Sequence, residues 1–481
     1  MKNKSIWEEG FPYDVCDKLN NNIEVDVLIV GGGMSGMNTA YSLLNSNLKV
    51  CLVERNYIGF GKTLRTTGKI NYLQDKNIVQ ILKYHGFDIA KEYVKYQMHA
   101  VQRIKEIIEK EKIDCNFDEN NAYTFSFKNN KDILKISNIL DSLNIKYKYK
   151  TKIYDGNKVY LLSCKDNYVF HPLKYLYSIK RICLEKKISI YENTGVLKIK
   201  KNNNLYECIT DNNCTIKCKY VVITTHYPYF IKPFFLPFKT YITKSYIECF
   251  KRRNNMLYNA ISVDNPVVSS RFYSNNDVNY QLLLSLSHNL AFKNNTLNNF
   301  EKLNEYSNQN VDYMWSNMDI VPADYLPYIG RINDNENVFI ATGYNAWGMS
   351  NSVIAGDEIA SLILTGKSKY NDLFKPKRNI NKGFILNLPL VVFSNFYSFI
   401  KSKLIRSSNV KYKVINGKKI AIYVDENNIE HKVYPICPHL KCSLKFNVVE
   451  KTWDCPCHSS RFDIDGNVLE RPSNYDIKYK E

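Results

Sequence analysis

Two cysteines and two histidines near the carboxyl end of the chain have a spacing that can bind a metal centre. Cys437 and His439 form a C-x-H pair, and fifteen residues separate them from the C-x-x-H pair of Cys455 and His458. Two thiolates and two imidazoles on paired loops suit a [2Fe–2S] cluster in which sulfur binds one iron and nitrogen binds the other. A tetrahedral zinc site would accept the same four ligands. The spacing is unusual for a zinc finger and both loops contain proline, so the cluster is favoured.

A glycine-rich turn near the amino terminus indicates a dinucleotide site. Residues 25–30 form an apolar run typical of a strand, and Gly31, Gly33 and Gly36 follow as G-x-G-x-x-G before a predicted helix. Gly31 permits the tight turn, Gly33 lets a pyrophosphate approach the backbone, and Gly36 lets helix and strand pack closely. The next predicted strand ends at Glu54, whose carboxylate can accept hydrogen bonds from a ribose. Together these features predict a dinucleotide with its pyrophosphate at the helix N-terminus.

Three downstream features favour FAD over NAD. The loop 59–69 is rich in small and hydroxyl residues that suit the phosphates and ring of a flavin. Residues 338–343 have the pattern of a strand, and 344–349 lead into a helix whose N-terminal dipole can point at the flavin. The sequence contains no second strand–G-x-G-x-x-G–helix unit, so a nicotinamide site beside the flavin is not expected.

These patterns resemble two known families. Residues 437–458 resemble the cluster loops of a Rieske domain. The chain up to about residue 365 resembles the D-amino-acid-oxidase-like FAD family, through the glycine-rich turn and the segments 65–69, 219–225, 319–330 and 338–349. The whole chain is similar to bacterial FAD-dependent oxidoreductases with a C-terminal Rieske domain. The resemblance implies two cofactors, FAD and a Rieske-type [2Fe–2S] cluster.

The resemblance also implies site residues. Expected FAD-binding residues are Gly31, Gly33, Ser35, Gly36, Glu54, Arg55, Thr66, Thr67, Gly68, Lys69, Val196, Gly343, Trp347, Gly348 and Met349. The implied cluster ligands are Cys437, His439, Cys455 and His458, and Cys442 and Cys457 occupy the positions of a disulfide in Rieske proteins of respiratory quinol-oxidising complexes. The motifs do not identify a catalytic residue. Tyr344, Trp347 and Arg271 are the candidates, and for each of them the alternative is a structural role.

The C-terminal segment departs from the Rieske pattern at several positions. Lys441 and Ser459 stand where such loops often have glycine, so these turns could differ. Ser460 retains a hydroxyl that donates to a bridging sulfur in high-potential relatives. Phe462 stands where those relatives place a tyrosine that donates to a cluster sulfur. Loss of that donor predicts a reduction potential below that of respiratory-complex Rieske centres.

The expected fold is an α/β Rossmann-like FAD-binding domain with an inserted α+β substrate domain, plus a small all-β Rieske domain. A chain of 481 residues is long enough for two or three domains. The predicted boundaries are an extension (1–24), the FAD-dependent oxidoreductase domain (25–365), a linker with a helix (366–409) and the Rieske domain (410–481). Within the second of these, the FAD-binding parts are expected at about 25–72, 185–230 and 330–365.

The linker contains an apolar segment, residues 384–405. Its carboxyl end is basic, with Lys401, Lys403 and Arg406. Polar residues interrupt it, so it falls short of the ~20 uninterrupted apolar residues of a membrane span. We expect a helix that packs against the FAD domain and positions the Rieske domain. A membrane-surface anchor is the alternative.

The composition limits which binding partners and which cellular compartment are expected. The net charge is +19, but lysines are scattered along the chain and no nucleic-acid motif is present, so nucleic-acid binding is not expected. The nine cysteines outside the cluster region show no C-x-x-C pairing, which is typical of reduced thiols and predicts a cytoplasmic protein.

The sequence predicts an FAD-dependent dehydrogenase. It would oxidise a small amine, amino acid or related metabolite, and its cluster would exchange single electrons with an external protein or quinone. An oxidase that uses dioxygen would not need the cluster. The alternative is a flavin and iron–sulfur protein that transfers electrons or senses redox state without turning over a metabolite.

Overall fold

The computed structural model describes residues 2–154, 156–228, 236–252, 259–275, 278–292, 295–404, 407 and 409–480. Residues 405 and 406, at the basic end of the predicted linker helix, lie outside the described residues, as does the end of the predicted FAD-binding part 185–230.

Eight α-helices occur in the described part of the chain. They are α1 (Met34–Ser42), α2 (Asp75–His85), α3 (Phe87–Lys110), α4 (Lys131–Ser142), α5 (Pro172–Glu185), α6 (Thr296–Ser307), α7 (Gly348–Thr365) and α8 (Lys382–Leu404).

The strands up to the start of α8 form two large sheets. They are β1 (Ile23–Val30), β2 (Val50–Val53), β3 (Lys69–Ile70), β4 (Asp118–Ser126), β5 (Tyr147–Tyr154), β6 (Asn157–Val169), β7 (Ser189–Tyr191), β8 (Val196–Asn202), β9 (Leu205–Thr210), β10 (Thr215–Ile223), β11 (Thr240–Lys251), β12 (Asn259–Ser262), β13 (Ser269–Asn275), β14 (Val278–Asn289), β15 (Tyr313–Pro322), β16 (Tyr328–Arg331) and β17 (Val338–Thr342).

The first sheet has the order β16-β17-β10-β1-β2-β7, and β9 and β8 extend it from β10. Strands β17, β10, β1, β2 and β7 are parallel. Strands β2 and β17 are buried along their whole length. Helices α1, α5 and α7 cover one face of the sheet, and residues of β9, β11 and β15 pack on the other. The Rossmann-like expectation is confirmed, and the carboxyl ends of β1, β10 and β17 meet at one edge.

The second sheet has nine strands in the order β15-β11-β14-β13-β12-β4-β6-β3, with β5 paired to β6. Most of its pairs are antiparallel, and β12 with β4 is parallel. This sheet and the helices packed on it form the inserted α+β unit.

The C-terminal domain, residues 409–480, contains two small antiparallel sheets. Their strands are β18 (Lys411–Ile415), β19 (Lys418–Val424), β20 (Glu430–Val433), β21 (Lys445–Asn447), β22 (Thr452–Asp454), β23 (Arg461–Phe462) and β24 (Val468–Glu470). Asn416 and Gly417 both have positive φ, 49° and 73°, as a two-residue hairpin turn requires. Trp453 and Phe462 are fully buried in the small core, which also holds the four cysteines.

Helix α8 joins the two parts of the molecule. Its contacts with α2 and β11 hold it against the FAD-type domain. At its other end, the Ser402 hydroxyl accepts a hydrogen bond from the Ser443 amide (3.0 Å), and Lys403 Nζ donates to the Lys441 carbonyl (2.6 Å). The helix therefore has the packing that the sequence predicted for it.

A buried network of charged side chains fixes the C-terminal domain on the first two sheets. Arg461 contacts Glu450 (2.8 Å), Asp454 (3.0 Å) and Glu470 (3.6 Å) within the domain. Arg65, from the loop after β2, reaches Glu450 at 2.9 Å and Glu470 at 3.0 Å. Two lysines outside the domain also pair with these carboxylates. Lys62 pairs with Glu470, and Lys244 on β11 pairs with Asp454 at 3.0 Å.

The Glu470 carboxyl provides a pH test of this docking. Burial alone would raise its pKa, but Lys62, Arg65 and Arg461 lower the pKa from 4.5 to about 2. Its charged form therefore stabilises the folded state fully above about pH 4.5, and that stabilisation is lost as the pH falls toward about 2. We expect this group to contribute about 3 kcal/mol to the free energy of unfolding across that window.

The measurement is denaturant unfolding of the wild-type protein and of Glu470→Gln at pH steps from neutrality downward. The two free energies of unfolding should differ most at neutral pH and converge on acidification. A difference that stays constant across the window would contradict the assignment.

Candidate functional site

The glycine-rich turn has the geometry that the sequence predicted. Gly31 has φ +112°, which other residues rarely adopt. A Cβ on Gly36 would lie 1.9 Å from the Gly31 carbonyl oxygen, so α1 can approach β1 only with glycine here. The Glu54 carboxylate accepts backbone N–H bonds from Gly32 (2.7 Å) and Asn56 (2.9 Å), and burial raises its pKa. The carboxylate thus braces the turn and retains lone pairs for a ribose.

One long cavity runs from this turn along the carboxyl edge of the first sheet. It is lined by Gly31, Gly33, Met34, Ser35, Glu54, Arg55, Lys62, Thr63, Thr66, Gly195, Val196, Thr224, Thr225, His226, Asn317, Asp319, Gly343, Tyr344, Gly348 and Met349, among others. We call it the cofactor cavity. It passes both helix N-termini, those of α1 and α7, whose free N–H groups favour anionic or electron-rich ligand groups.

Several buried polar atoms that line the cofactor cavity lack a hydrogen-bond partner in the described part of the chain, which indicates a ligand site. Within the described residues, Thr225 Oγ1, His226 Nε2 and Asn317 Oδ1 are buried and lack a hydrogen-bond partner, and all three residues line the cavity. Unpaired buried polar atoms are costly unless a ligand or water satisfies them. Their placement, with the Glu54 carboxylate at one end, fits an extended dinucleotide such as FAD.

The structure brings most of the expected FAD residues together, but not all. Gly68 lines neither large cavity in the described part of the chain; its amide bonds Thr66 Oγ1 (3.0 Å). Thr67 and Lys69 line a second cavity instead, as does Trp347. The loop therefore leaves the cofactor cavity after Thr66.

The C-terminal domain closes the cofactor cavity. Leu469, Glu470 and Arg471 belong to its lining. Arg471 Nη1 donates to the Val196 carbonyl at 3.0 Å, and Arg55 Nη1 donates to the Asn474 carbonyl at 3.3 Å. Lys62 belongs to the loop 59–69 that was expected to face the flavin. Asp319, His226 and these C-terminal residues were not expected in the cavity, because no local pattern reveals contacts between distant parts of a chain.

The two loops of the C-terminal domain gather the four predicted ligands. Cys437 and Cys455 are buried, and their thiols hydrogen-bond each other, which lowers the pKa of Cys437 to about 7 and raises that of Cys455. The His439 and His458 rings lie 5.1 Å apart between centroids. In the described residues, Nδ1 of both histidines is buried without a partner. Two adjacent thiols and two orphaned imidazole nitrogens fit a [2Fe–2S] cluster with mixed ligands.

The predicted disulfide joins Cys442 to Cys457. It ties the first cluster loop to the second, and the Cys455 sulfur lies within 4.8 Å of both of its sulfurs. Lys441 (φ +60°) and Ser459 (φ +67°) adopt the left-handed conformation that glycine prefers. The loops therefore keep the Rieske-type turns although glycine is missing from both.

An aromatic residue connects the two sites. Tyr227 follows β10 and is fully buried; its ring lies 5.4 Å from that of His458 and 6.2 Å from that of His439. Its neighbour His226 lines the cofactor cavity. The cluster histidines therefore pack directly on the segment that forms the wall of the cofactor cavity.

A second cavity opens beside the far end of the first one and shares Thr66, Asn317, Asp319, Ala346 and Met349 with it. Asp319 is half-buried at this junction, and the loss of solvent around its carboxyl raises its pKa to about 6. Deeper in the second cavity lie Lys69 and Asp75. Burial lowers the pKa of Lys69 to about 7 and raises that of Asp75 well above its usual range.

The three candidate catalytic residues have different surroundings. Tyr344 lines the cofactor cavity, and its hydroxyl lies 2.7 Å from Ser35 Oγ. Trp347 lines the second cavity and precedes α7. Arg271 is 1% exposed, donates to the carbonyls of Thr67 and Phe170, and stacks over Trp7 at 5.0 Å. Since Arg271 lines neither large cavity of the described structure, its contacts favour the structural alternative.

Comparison with known proteins agrees with both parts of the fold. Residues 26–362 match the family described as FAD dependent oxidoreductase (DAO), and residues 395–479 match the Rieske [2Fe-2S] domain. The Bacillus subtilis protein YhfW, whose name describes a Rieske 2Fe-2S iron-sulfur protein, is 29% identical over 99% of this chain and 97% of its own. The gamma-glutamylputrescine oxidoreductase of Escherichia coli is 21% identical over 82% of this chain and 96% of its own.

A solved structure shows the same fold. The L-amino acid deaminase of Proteus vulgaris superimposes with a TM-score of 0.61 at 16% identity, over 78% of this chain and 98% of that one.

Phe462 provides a test of the cluster environment. Its ring is fully buried in the core around the cluster loops, and the nearby Ser460 hydroxyl contributes to the lowered pKa of Cys437. We expect a potential below that of respiratory-complex Rieske centres, and Phe462→Tyr should raise it. A new hydrogen bond that favours the reduced cluster by ~1 kcal/mol corresponds to about 40 mV for one electron.

An EPR-monitored redox titration measures this shift. Phe446→Tyr, a change of a partly buried aromatic residue packed against the same core, is the control and should leave the potential nearly unchanged. A wild-type potential as high as that of respiratory-complex centres, or no increase in Phe462→Tyr, would refute the role given to this position.

Proposed function

Because the chain belongs to the FAD dependent oxidoreductase (DAO) family and carries a Rieske [2Fe-2S] domain, we propose that it is a dehydrogenase for a small amine or amino acid. The proposed electron acceptor is an external protein or quinone that takes electrons one at a time from the cluster. When bound, FAD supplies two-electron oxidation and the cluster supplies single-electron transfer.

The observation that carries this proposal is the docking of the cluster loops on the wall of the cofactor cavity. Tyr227 contacts both cluster histidines, while the adjacent His226 lines the cavity. The charged network around Arg461 holds this arrangement in one geometry. A one-electron centre docked beside the flavin site supports transfer of electrons through the cluster to an acceptor other than dioxygen.

The residues of the second cavity support an amine or amino acid as substrate. Asp75 Oδ2 is buried without a partner in the described structure, and Oδ1 accepts from the Thr124 hydroxyl. An ammonium group placed beside this carboxyl would favour its ionised form, and the raised pKa makes that carboxylate a stronger base for the proton that the ammonium must lose before its carbon is oxidised. Lys69 Nζ, which donates to Ser269 Oγ at 2.7 Å, gives the same cavity an amine whose charged form a substrate carboxylate would favour.

The proposal is tested by mixing the protein with amines, amino acids and hydroxy acids in the absence of dioxygen. At least one amine or amino acid should bleach the flavin, and the EPR signal of the reduced cluster should follow. Tyr227→Leu should slow cluster reduction, whereas Tyr227→Phe, which keeps the ring, should not. Flavin reduction without cluster reduction, or no flavin reduction by any compound, would contradict the proposal.

Asp75 provides a separate test of the substrate cavity. Asp75→Asn removes the carboxyl that would ionise beside an ammonium group and accept its proton, so KM for the amine should rise roughly 10- to 100-fold. The measurement is the dependence of anaerobic bleaching on substrate concentration. Asp132→Asn, at an exposed carboxylate on α4, is the control. An unchanged KM in Asp75→Asn would exclude this residue from substrate binding.

A further inference from the structure

Helix α8 buries its polar side chains and exposes its apolar ones, the reverse of an ordinary surface helix. The buried face consists of Gly383, Asn387, Val391, Ser394, Ser398 and Ser402. Nine large apolar residues are exposed, namely Ile385, Leu386, Leu390, Val392, Phe393, Phe396, Phe399, Ile400 and Leu404. Phe396 is 63% exposed and Leu404 is 76% exposed. Such a surface on a soluble monomer is unusual and indicates a partner.

The buried face fixes α8 lengthwise on the protein. Asn387 Nδ2 donates to the Ala323 carbonyl at 2.9 Å, Asn395 Nδ2 donates to the Thr240 carbonyl at 3.1 Å, and Ser394 Oγ accepts from Asn289 at 2.8 Å. The helix is long and apolar enough to cross a membrane, with 22% of its most apolar window buried. Because its polar face is bonded along its length, α8 can present its side to a membrane but cannot span one.

Neighbouring segments extend this apolar surface beside the middle of α8 and at its carboxyl end. Phe292 is 38% exposed and stacks near Phe393, at 5.9 Å between ring centroids. At the carboxyl end, α8 contacts the first cluster loop, where Leu440 is 48% exposed beside His439. We call α8, Phe292 and Leu440 the apolar face.

The charges around the apolar face select its partner. Lys382, Lys403 and Lys441 are exposed along it, and α8 contains no aspartate or glutamate. A second copy of this chain would oppose lysines with lysines, and the net charge of +19 adds to that repulsion. Anionic lipid headgroups would meet the lysines while the phenylalanines enter the acyl boundary.

We propose that the apolar face docks the protein on the surface of an anionic lipid bilayer. Helix α8 lies in the plane of the interface, held there by its own bonds to the protein. The first cluster loop adjoins the end of α8, so docking brings the exposed Leu440 edge of the cluster site to the bilayer.

The test is co-sedimentation of the full-length holoprotein with vesicles of phosphatidylcholine alone or mixed with phosphatidylglycerol. We expect binding to the mixed vesicles that weakens as salt is added. The double variant Phe393→Glu/Phe396→Glu should lower the partition coefficient roughly 10-fold or more. The control Ile153→Glu/Leu364→Glu changes two exposed apolar residues elsewhere, 72% and 50% exposed, and should bind like the wild type. Flavin and cluster absorbance verify that each variant is folded.

Three results would overturn the proposal. They are no sedimentation with either vesicle, equal sedimentation of the wild type and the Phe393→Glu/Phe396→Glu variant, and equal loss in the control variant. A dimer in analytical ultracentrifugation that the Phe393→Glu/Phe396→Glu variant abolishes would assign the face to a second copy instead.

Discussion

The arrangement of the molecule depends on a set of buried charges that neither domain balances alone. Glu450, Asp454 and Glu470 of the C-terminal domain surround Arg461, and Arg65, Lys62 and Lys244 reach them from the FAD-binding part. A buried charge without its partner is strongly destabilising. Undocking would break every contact of Lys62, Arg65 and Lys244 with these carboxylates. The network therefore specifies one position of the cluster domain more than it adds stability.

This single position explains how the two cofactor sites can work together. Docking covers the cofactor cavity with Leu469 to Arg471 and seats the cluster histidines on Tyr227. Lys62 and Arg65 lie in the loop that the sequence predicted to contact the flavin, and both are paired with Glu470 of the C-terminal domain. One loop thus shapes the cavity and holds the module that closes it.

The sequence predicted features that depend on neighbouring residues. The turn at Gly31 to Gly36, the four cluster ligands and the disulfide are each encoded within a short segment. The left-handed turns at Lys441 and Ser459 form without glycine because the loops around them are fixed by the cluster fold.

The features that the sequence did not reveal depend on residues far apart. Lys62 and Glu470 are 408 positions apart, and no local pattern pairs them. The second cavity brings Lys69 and Asp75 together with Asp319, which lies on another strand of the same sheet. Helix α8 was predicted as a helix, but its periodicity alone does not say which face is buried. Asn387, Ser394 and Ser398 would ordinarily be assigned to solvent, and the structure buries them.

The central claim is that the cluster domain works while docked, without swinging between positions. Anaerobic stopped-flow measurement of cluster reduction after substrate mixing, repeated at increasing solvent viscosity, tests this most directly. A docked domain predicts a rate constant that does not change with viscosity. A rate constant that falls in inverse proportion to viscosity would show that the domain must move, and would contradict the account.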